Sequence, residues 1–149
     1  MSSSTPPGPG TVTVPELCAA VEQIEAGAAL IAGALADRER LDLGSVPTDV
    51  VADLTVRLLK AADRITAAGT VTAGHVDSVA GHATGTLISG VFASTRRWLE
   101  VAVGVAPSTA KALLARARDL REHSEPVEQE WLVGAVTGDA VRELTSGVS

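Results

Sequence analysis

Apolar residues recur every three or four positions along most of this chain, which is the spacing of one face of an α-helix. Pro15 suits the first position of a helix, because the N–H that proline lacks has no partner there. Beyond Pro15 the apolar positions follow the same spacing, at Leu17, Val21, Ile24, Ala28, Ile31 and Leu35. This heptad-like stripe predicts a first helix over residues 15–40.

A second apolar stripe follows a connector in which Gly44 and Pro47 interrupt the helical pattern. Thr48 is a suitable N-cap. Apolar residues then recur at Val51, Leu54, Leu58, Ala61 and Ile65. Gly69 is expected to end this helix, which predicts residues 48–68 as its span. Two such helices joined by a short connector predict an antiparallel hairpin, and either stripe also suits pairing with a second copy of the chain.

The remaining stretches carry less pattern. Residues 1–14 are rich in Ser, Pro and Gly without periodicity, and are predicted to be a disordered tail. Residues 69–90 are rich in Gly, Thr and Val, and a short helix over residues 75–80 is predicted inside a mobile connection. Residues 15–149 are few enough for a single domain. Ala, Leu and Arg favour helices, so the prediction is an all-α domain with an aliphatic core.

Residues 94–121 have the pattern of a helix-turn-helix-like unit. A first helix is predicted to end near Val103, with a turn at Gly104, because glycine tolerates positive φ, and a second helix entered at Pro107. A helical wheel of the second helix places its apolar residues on one side, which is predicted to pack on Trp98 and Leu99. These residues are Ala110, Leu113, Leu114, Ala117 and Leu120. A weaker echo at Trp131, Leu132, Gly138 and Leu144 predicts a second, related helical pair.

Charge distinguishes this unit from the rest of the chain. Residues 94–121 contain six basic and two acidic side chains, a net charge of +4, whereas the whole chain carries −6 and the remainder therefore −10. A basic element in an acidic protein is expected where one face meets a polyanion. The competing interpretation is a solvated helix face in which Arg118 and Glu122 form an ion pair.

On the polyanion interpretation, the second helix of this unit contacts duplex DNA. Recognition helices commonly put their first residues on base edges and later cations on phosphates. Ser108, Thr109 and Ala112 would then read bases, and Lys111, Arg116 and Arg118 would anchor the helix. The predicted DNA-binding residues are Arg96, Arg97, Ser108, Thr109, Lys111, Ala112, Arg116 and Arg118.

No catalytic residue, metal site or cofactor is predicted. Residues 69–76 have the glycine spacing of a phosphate-binding loop, but His75 and Val76 stand where Lys and Ser or Thr are needed. On one helix His75 and His82 would lie about 10 Å apart along the axis, too far to share a zinc ion. His123 is remote from both, so a structural or exposed role is expected for all three histidines.

A cytoplasmic location is predicted, with no membrane association. Cys18 is the only cysteine and is interpreted as a buried small hydrophobe in a reducing compartment. The longest apolar run, residues 26–36, is shorter than the roughly 20 residues that cross a bilayer.

Five short stretches together give the chain a family likeness. They are AADR at residues 61–64, STRRWL at 94–99, GVAPSTA at 104–110, LLARARDL at 113–120 and WLVGAVTG at 131–138. With them, residues 15–148 resemble the N-terminal part of domain of unknown function 222, a helical family found ahead of HNH endonuclease modules in many GC-rich bacteria. The resemblance implies association with such a nuclease. The His-Asn-His constellation of that nuclease class has no counterpart in these 149 residues, so catalysis by this chain is not expected.

Two hypotheses about function remain. The first is a non-catalytic helical module associated with an HNH-type endonuclease, which binds or positions DNA. The alternative is a helical oligomerisation or protein-interaction scaffold that associates with itself through residues 15–40 and 48–68.

Overall fold

The computed structural model of the protein describes residues 11–37, 39–80, 92, 94–123 and 125–146. These residues form α-helices and one short 3₁₀ turn, with no β-strand among them, so the all-α prediction is confirmed. The helices are α1 (Val14–Ala36), α2 (Thr48–Ala80), α3 (Thr95–Val103), α4 (Pro107–His123), α5 (Glu125–Leu132) and α6 (Gly138–Ser146).

The chain divides into two compact units, residues 1–51 and residues 52–149. The single domain over residues 15–149 and the antiparallel hairpin of the first two helices stay predictions. Residues 1–10 of the predicted tail lie outside the described residues. Its predicted end at residue 14 is wrong, because Val14 is the first residue of α1 and Thr13 caps that helix.

Helix α1 begins and ends at polar side chains. The Thr13 hydroxyl accepts a hydrogen bond from Glu16 N (3.3 Å), which caps the first turn. The helix ends at Ala36, so the expected end near residue 40 is wrong. Asp37 has an extended backbone, and its carboxylate accepts hydrogen bonds from the two backbone N–H groups at residues 39 and 40, which stops the helix.

None of the residues of α1 is buried. Cys18 is exposed, so the prediction of a buried thiol is wrong. By length and composition alone this 23-residue helix could cross a membrane, because its most apolar 18-residue window carries no more than two charged residues. That property is weak evidence of a membrane, since signal sequences and core helices share it.

Helix α2 continues through Gly69 to Ala80, so the predicted end at residue 68 and the separate short helix at residues 75–80 are both wrong. The hydroxyls of Thr66, Thr70 and Thr72 donate to backbone carbonyls one turn earlier, which lets threonine occupy a helix interior. Packing against α4 supports the same stretch, so tertiary contacts outweigh the local preference. The rest of the predicted connection, residues 81–91, lies outside the described residues.

The unit of residues 52–149 has two buried clusters. One brings Ala73 of α2 together with Leu99 of α3 and with Ala110 and Leu114 of α4; the partly buried Trp98, Val105 and Leu113 pack against it. The other is formed by Ala67, Leu120, Trp131 and Val141. The inward side predicted for α4 is confirmed, since Ala110, Leu114, Ala117 and Leu120 are buried and Leu113 is half-buried.

The turn between α3 and α4 follows the expected backbone. Ser94 caps α3 by accepting a hydrogen bond from Arg97 N (3.2 Å), and Gly104 ends it with φ of 82°. A side chain at that φ would be strained, so glycine is required there. Helix α4 then begins at Pro107, as predicted.

Candidate nucleic-acid interface

The exposed part of the predicted DNA surface lies on α3 and the start of α4. The exposed members there are Arg96, Arg97, Ser108, Thr109, Lys111 and Ala112, and Arg118 is also exposed further along α4. Both arginines of α3 lie 3.5 Å from the Glu100 carboxylate, whose side chain is only 9% exposed. One carboxylate thus partly neutralises two cations, and the positive charge of this surface is smaller than the sequence indicates.

Arg118 is exposed but is held by an ion pair. Its Nε and Nη2 atoms donate to the two oxygens of the Asp77 carboxylate at 2.9 and 3.3 Å. The hydrogen bond from Arg118 is the main reason why the pKa of Asp77 is lowered; burial opposes it, and a hydrogen bond from Thr95 adds to it. This pair ties α4 to α2, so the prediction of Arg118 as a phosphate anchor on an outer face is not supported by its contacts.

Arg116 does not point into solvent, which corrects the helical wheel. It is half-buried, and its guanidinium carbon lies 5.8 Å from the centroid of the Trp131 ring, within cation–π distance. Burial is the main cause that lowers the pKa of Arg116, and the charge of Arg142 adds to it, while Asp139 and Asp63 oppose the shift. Because arginine stays protonated in proteins, Arg116 is a partly desolvated cation.

Arg116 borders a cleft that sequence reasoning missed. The cleft has a volume of about 730 Å³ and lies between α2, α4, α5 and the start of α6. Three further cations of α2 line it, at the helical spacing of three and then four residues: Arg57, Lys60 and Arg64. We call these three residues the basic row, since this spacing puts them on one side of the helix.

The contacts of the basic row are weak. Arg57 lies 3.7 Å from Asp53, and both side chains are more than two-thirds exposed, so the pair adds little stability. Arg64 Nε donates to the carbonyl of Leu132 at 3.4 Å. Lys60 is exposed, and no salt bridge to it is found in the described part of the chain. The row is therefore available to an external anion.

A network centred on Asp63 forms one wall of the cleft. The Asp63 carboxylate accepts hydrogen bonds from Trp131 Nε1 (3.2 Å) and from the backbone N–H of Gly138 (3.0 Å). Gly138 is the first residue of α6, where the helix dipole favours a negative charge. Thr137 completes the cap by accepting from Ala140 N (3.3 Å). An aspartate 75 residues earlier in the chain thus caps α6.

This network joins two of the stretches from which the resemblance to domain of unknown function 222 is predicted, AADR at residues 61–64 and WLVGAVTG at 131–138. The sequence indicates Asp63, Trp131 and Gly138 only as members of these stretches or of a predicted helical pair, without a role in a site. Nothing in their spacing alone indicated contact. The spacing of the basic row can be read from the sequence. Only its position along the cleft distinguishes it from an ordinary solvated helix face.

The histidines and the acidic side chains provide no further candidate site among the described residues. His75 is exposed, His82 lies outside the described residues, and the side chain of His123 is likewise outside them. Among the described residues, no three His, Cys, Asp or Glu side chains are grouped closely enough to hold a metal ion.

Comparison with protein-family models, with curated proteins and with solved structures finds no match to this chain.

Proposed function

We propose that this chain is a non-catalytic helical module that positions an HNH-type endonuclease on duplex DNA. The supporting observation is the Asp63 network, which joins residues 61–64 to residues 131–138. These are stretches on which the expected resemblance depends, and the network makes them part of what holds α2, α5 and α6 together. The association with a nuclease follows from that likeness, and a cytoplasmic location belongs to the same proposal.

The charge distribution supports contact with DNA. Residues 94–121 carry +4 in a chain of −6. The cleft in the same unit is lined by Arg116 from this stretch and by the basic row of α2. One copy of so modest a basic surface is expected to bind with about micromolar affinity or weaker, as non-specific DNA binding does.

Fluorescence anisotropy with a labelled duplex of about 20 base pairs tests this proposal. We expect binding at 50 mM salt that disappears by 200 mM, since phosphate contacts release counterions. With Mg²⁺, Mn²⁺ or Zn²⁺ present, we expect the duplex to stay uncut. Absence of duplex binding at low salt would contradict DNA positioning, and cleavage that persists through rigorous purification would contradict a non-catalytic role.

A second candidate function is a scaffold that associates with itself. The stripe of α2 turns away from its packed side: Leu54, Leu58 and Ile65 are 40–46% exposed. The stripe of α1 is equally open, with Leu17, Val21, Ile24, Ile31 and Leu35 at least 40% exposed. Heptad-like stripes of this kind pair with one another in helical bundles.

Sedimentation velocity over a concentration series tests the scaffold. Replacing Leu54 and Leu58 by Glu would put charges into the apolar seam, and we expect the oligomer to dissociate. The control replaces Val56 and Leu59 by Glu. Both are apolar, lie on other sides of the same helix and are more exposed than the stripe residues, so this change should leave the oligomer intact. A wild-type chain that sediments as a monomer at all concentrations would contradict self-association.

The same test applies within α1, where neighbouring residues lie on different sides of the helix. Ile31 belongs to the stripe, whereas Leu30 is 74% exposed and lies away from it. Ile31→Glu is expected to weaken the oligomer and Leu30→Glu to leave it unchanged. Equal effects of the two substitutions would show that general hydrophobicity, and not the stripe, holds the copies together.

A further inference from the structure

The cleft beside α2 carries an excess of positive charge. The charged side chains that line it are Arg57, Lys60, Arg64, Arg116, Asp63 and Asp139, a net charge of +2. One of the two carboxylates, that of Asp63, is already engaged by Trp131 and Gly138. Asp63 keeps its negative charge in these hydrogen bonds and Asp53 lies 3.7 Å from Arg57, yet the four cations outnumber the carboxylates of the lining in a chain that is acidic as a whole.

The dimensions of the basic row suit a phosphate backbone. Arg57 and Arg64 are seven residues apart, which is about 10 Å along the helix axis, with Lys60 between them. Phosphates recur at short, regular intervals along a DNA strand, so a row of this length can meet more than one of them. Both arginines have long, flexible side chains that can adjust to the phosphate positions.

Arg116 adds a cation from a different helix. It is half-buried against Trp131 and is thus partly deprived of water. A phosphate oxygen in the cleft would restore the interactions that burial removes from this guanidinium, and charge-assisted hydrogen bonds of this kind are among the stronger ones.

The cleft offers no platform for bases. Trp131 is fully buried, so neither face of its ring is open for a base to stack on it. Recognition by single-strand binding proteins depends on such stacking, which this cleft cannot supply. The cations of its lining are therefore the groups best suited to a nucleic acid, and they match the chemistry of sequence-independent backbone contact.

We propose that this cleft binds the phosphate backbone of duplex DNA, with the basic row and Arg116 as its phosphate contacts. The proposal rests on the DNA-positioning function and relocates its electrostatic contact from the outer face of α4 to α2. Ser108, Thr109 and Ala112 then lie outside the main phosphate contact.

The test compares two double variants that each remove two exposed positive charges. Arg57→Gln with Lys60→Gln alters the basic row, and Arg96→Gln with Lys111→Gln alters the surface of α3 and α4. Anisotropy with the labelled duplex is measured between 25 and 200 mM salt. We expect the row variant to bind about tenfold to a hundredfold more weakly at 50 mM salt, with a salt slope smaller by about 2. The α3–α4 variant should retain most of its affinity.

Further measurements decide between outcomes. Lys60→Arg keeps the charge and should bind like the wild type, and equal denaturation midpoints would show that the variants are folded. Wild-type binding that the row variant leaves unchanged, or that both double variants weaken equally, would overturn the cleft while leaving DNA binding in place. No wild-type binding would overturn both proposals.

Competition with a free anion is the last measurement. Inorganic pyrophosphate, at the same phosphate concentration as an unlabelled duplex, should displace the labelled duplex far less well, because it cannot span the row. Displacement as effective as that by the duplex would overturn the proposal and make the cleft a site for small phosphate-bearing ligands.

Discussion

Helix α2 has two contrasting sides within the unit of residues 52–149. One side, which includes Asp63, Ala67, Thr70 and Gly74, contacts α4, α5 and α6. The opposite side carries the apolar stripe and remains exposed. The heptad-like pattern correctly identified a helix, but the side with the larger apolar residues is not the one that packs.

The reason lies in the size of the residues. Ala, Thr and Gly on the packed side allow neighbouring helices to approach closely, and an added Cβ at Gly74 would lie 3.0 Å from the Cβ of Ala117. A search for a pattern of large hydrophobic residues overlooks a packed side that is made of small residues. The larger apolar residues of the stripe are left for another surface, which is why the scaffold remains a candidate function.

The largest expected effect of breaking the packed side is at Asp63. Asp63→Ala would leave the buried Trp131 Nε1–H without its acceptor and remove the carboxylate that caps α6 at Gly138. We expect the free energy of unfolding to fall by about 2–4 kcal/mol, the sum of an unsatisfied buried donor and a lost cap. Chemical denaturation followed by circular dichroism measures this loss.

Asp53→Ala is the control for that measurement. Asp53 lies on the same helix, its side chain is 68% exposed, and its ion pair with Arg57 is long. Its loss should change the stability by less than about 0.5 kcal/mol. Equal effects of the two substitutions would contradict a structural role for the Asp63 network.

A smaller effect is expected at the ion pair between Asp77 and Arg118. Asp77→Asn should lower the free energy of unfolding by about 1 kcal/mol at pH 7, because the pair is bidentate and the carboxylate is mostly buried. The pKa of Asp77 is lowered in the folded chain. The stabilisation is therefore present above the ordinary pKa of 3.8 and is lost as the pH falls through the folded value.

Denaturation of the wild type and of Asp77→Asn at several pH values measures this dependence. The difference between the two proteins should be constant from pH 7 to about pH 5 and shrink below about pH 4. Asp119→Asn, at an exposed position of α4, serves as the control and should show no such convergence. A difference that persists unchanged at pH 2 would contradict an ionic origin.

The fold was largely predictable, because helix class depends on periodicity and composition. The turn at Gly104, the start at Pro107 and the buried side of α4 follow from local rules that the structure obeys. The continuation of α2 beyond Gly69 was not predictable in this way, since it depends on packing against α4. Local glycine and threonine content indicated a break that tertiary contacts prevent.

The candidate site was less predictable than the fold. A helical wheel places Arg116 and Arg118 relative to their own helix, but it contains no neighbouring helices. Arg116 lies over the ring of Trp131 and Arg118 pairs with Asp77, and both partners belong to other helices. The basic row lies on a helix that charge counting over residues 94–121 left out altogether.

The smallest expected effect compares two glycines of α2. A Cβ added at Gly69 has no heavy atom within 4 Å, whereas a Cβ added at Gly74 lies 3.0 Å from the Cβ of Ala117. Alanine is better than glycine inside a helix, so Gly69→Ala should stabilise the protein by about 0.5–1 kcal/mol. At Gly74 this gain is offset by overpacking, which typically costs about 1–3 kcal/mol, so the net effect should be destabilising or zero. Denaturation midpoints should differ between the two variants by at least about 1 kcal/mol in free energy. Equal stabilisation by both would mean that α2 and α4 can separate at Gly74 without cost, and that small residues do not define the packed side.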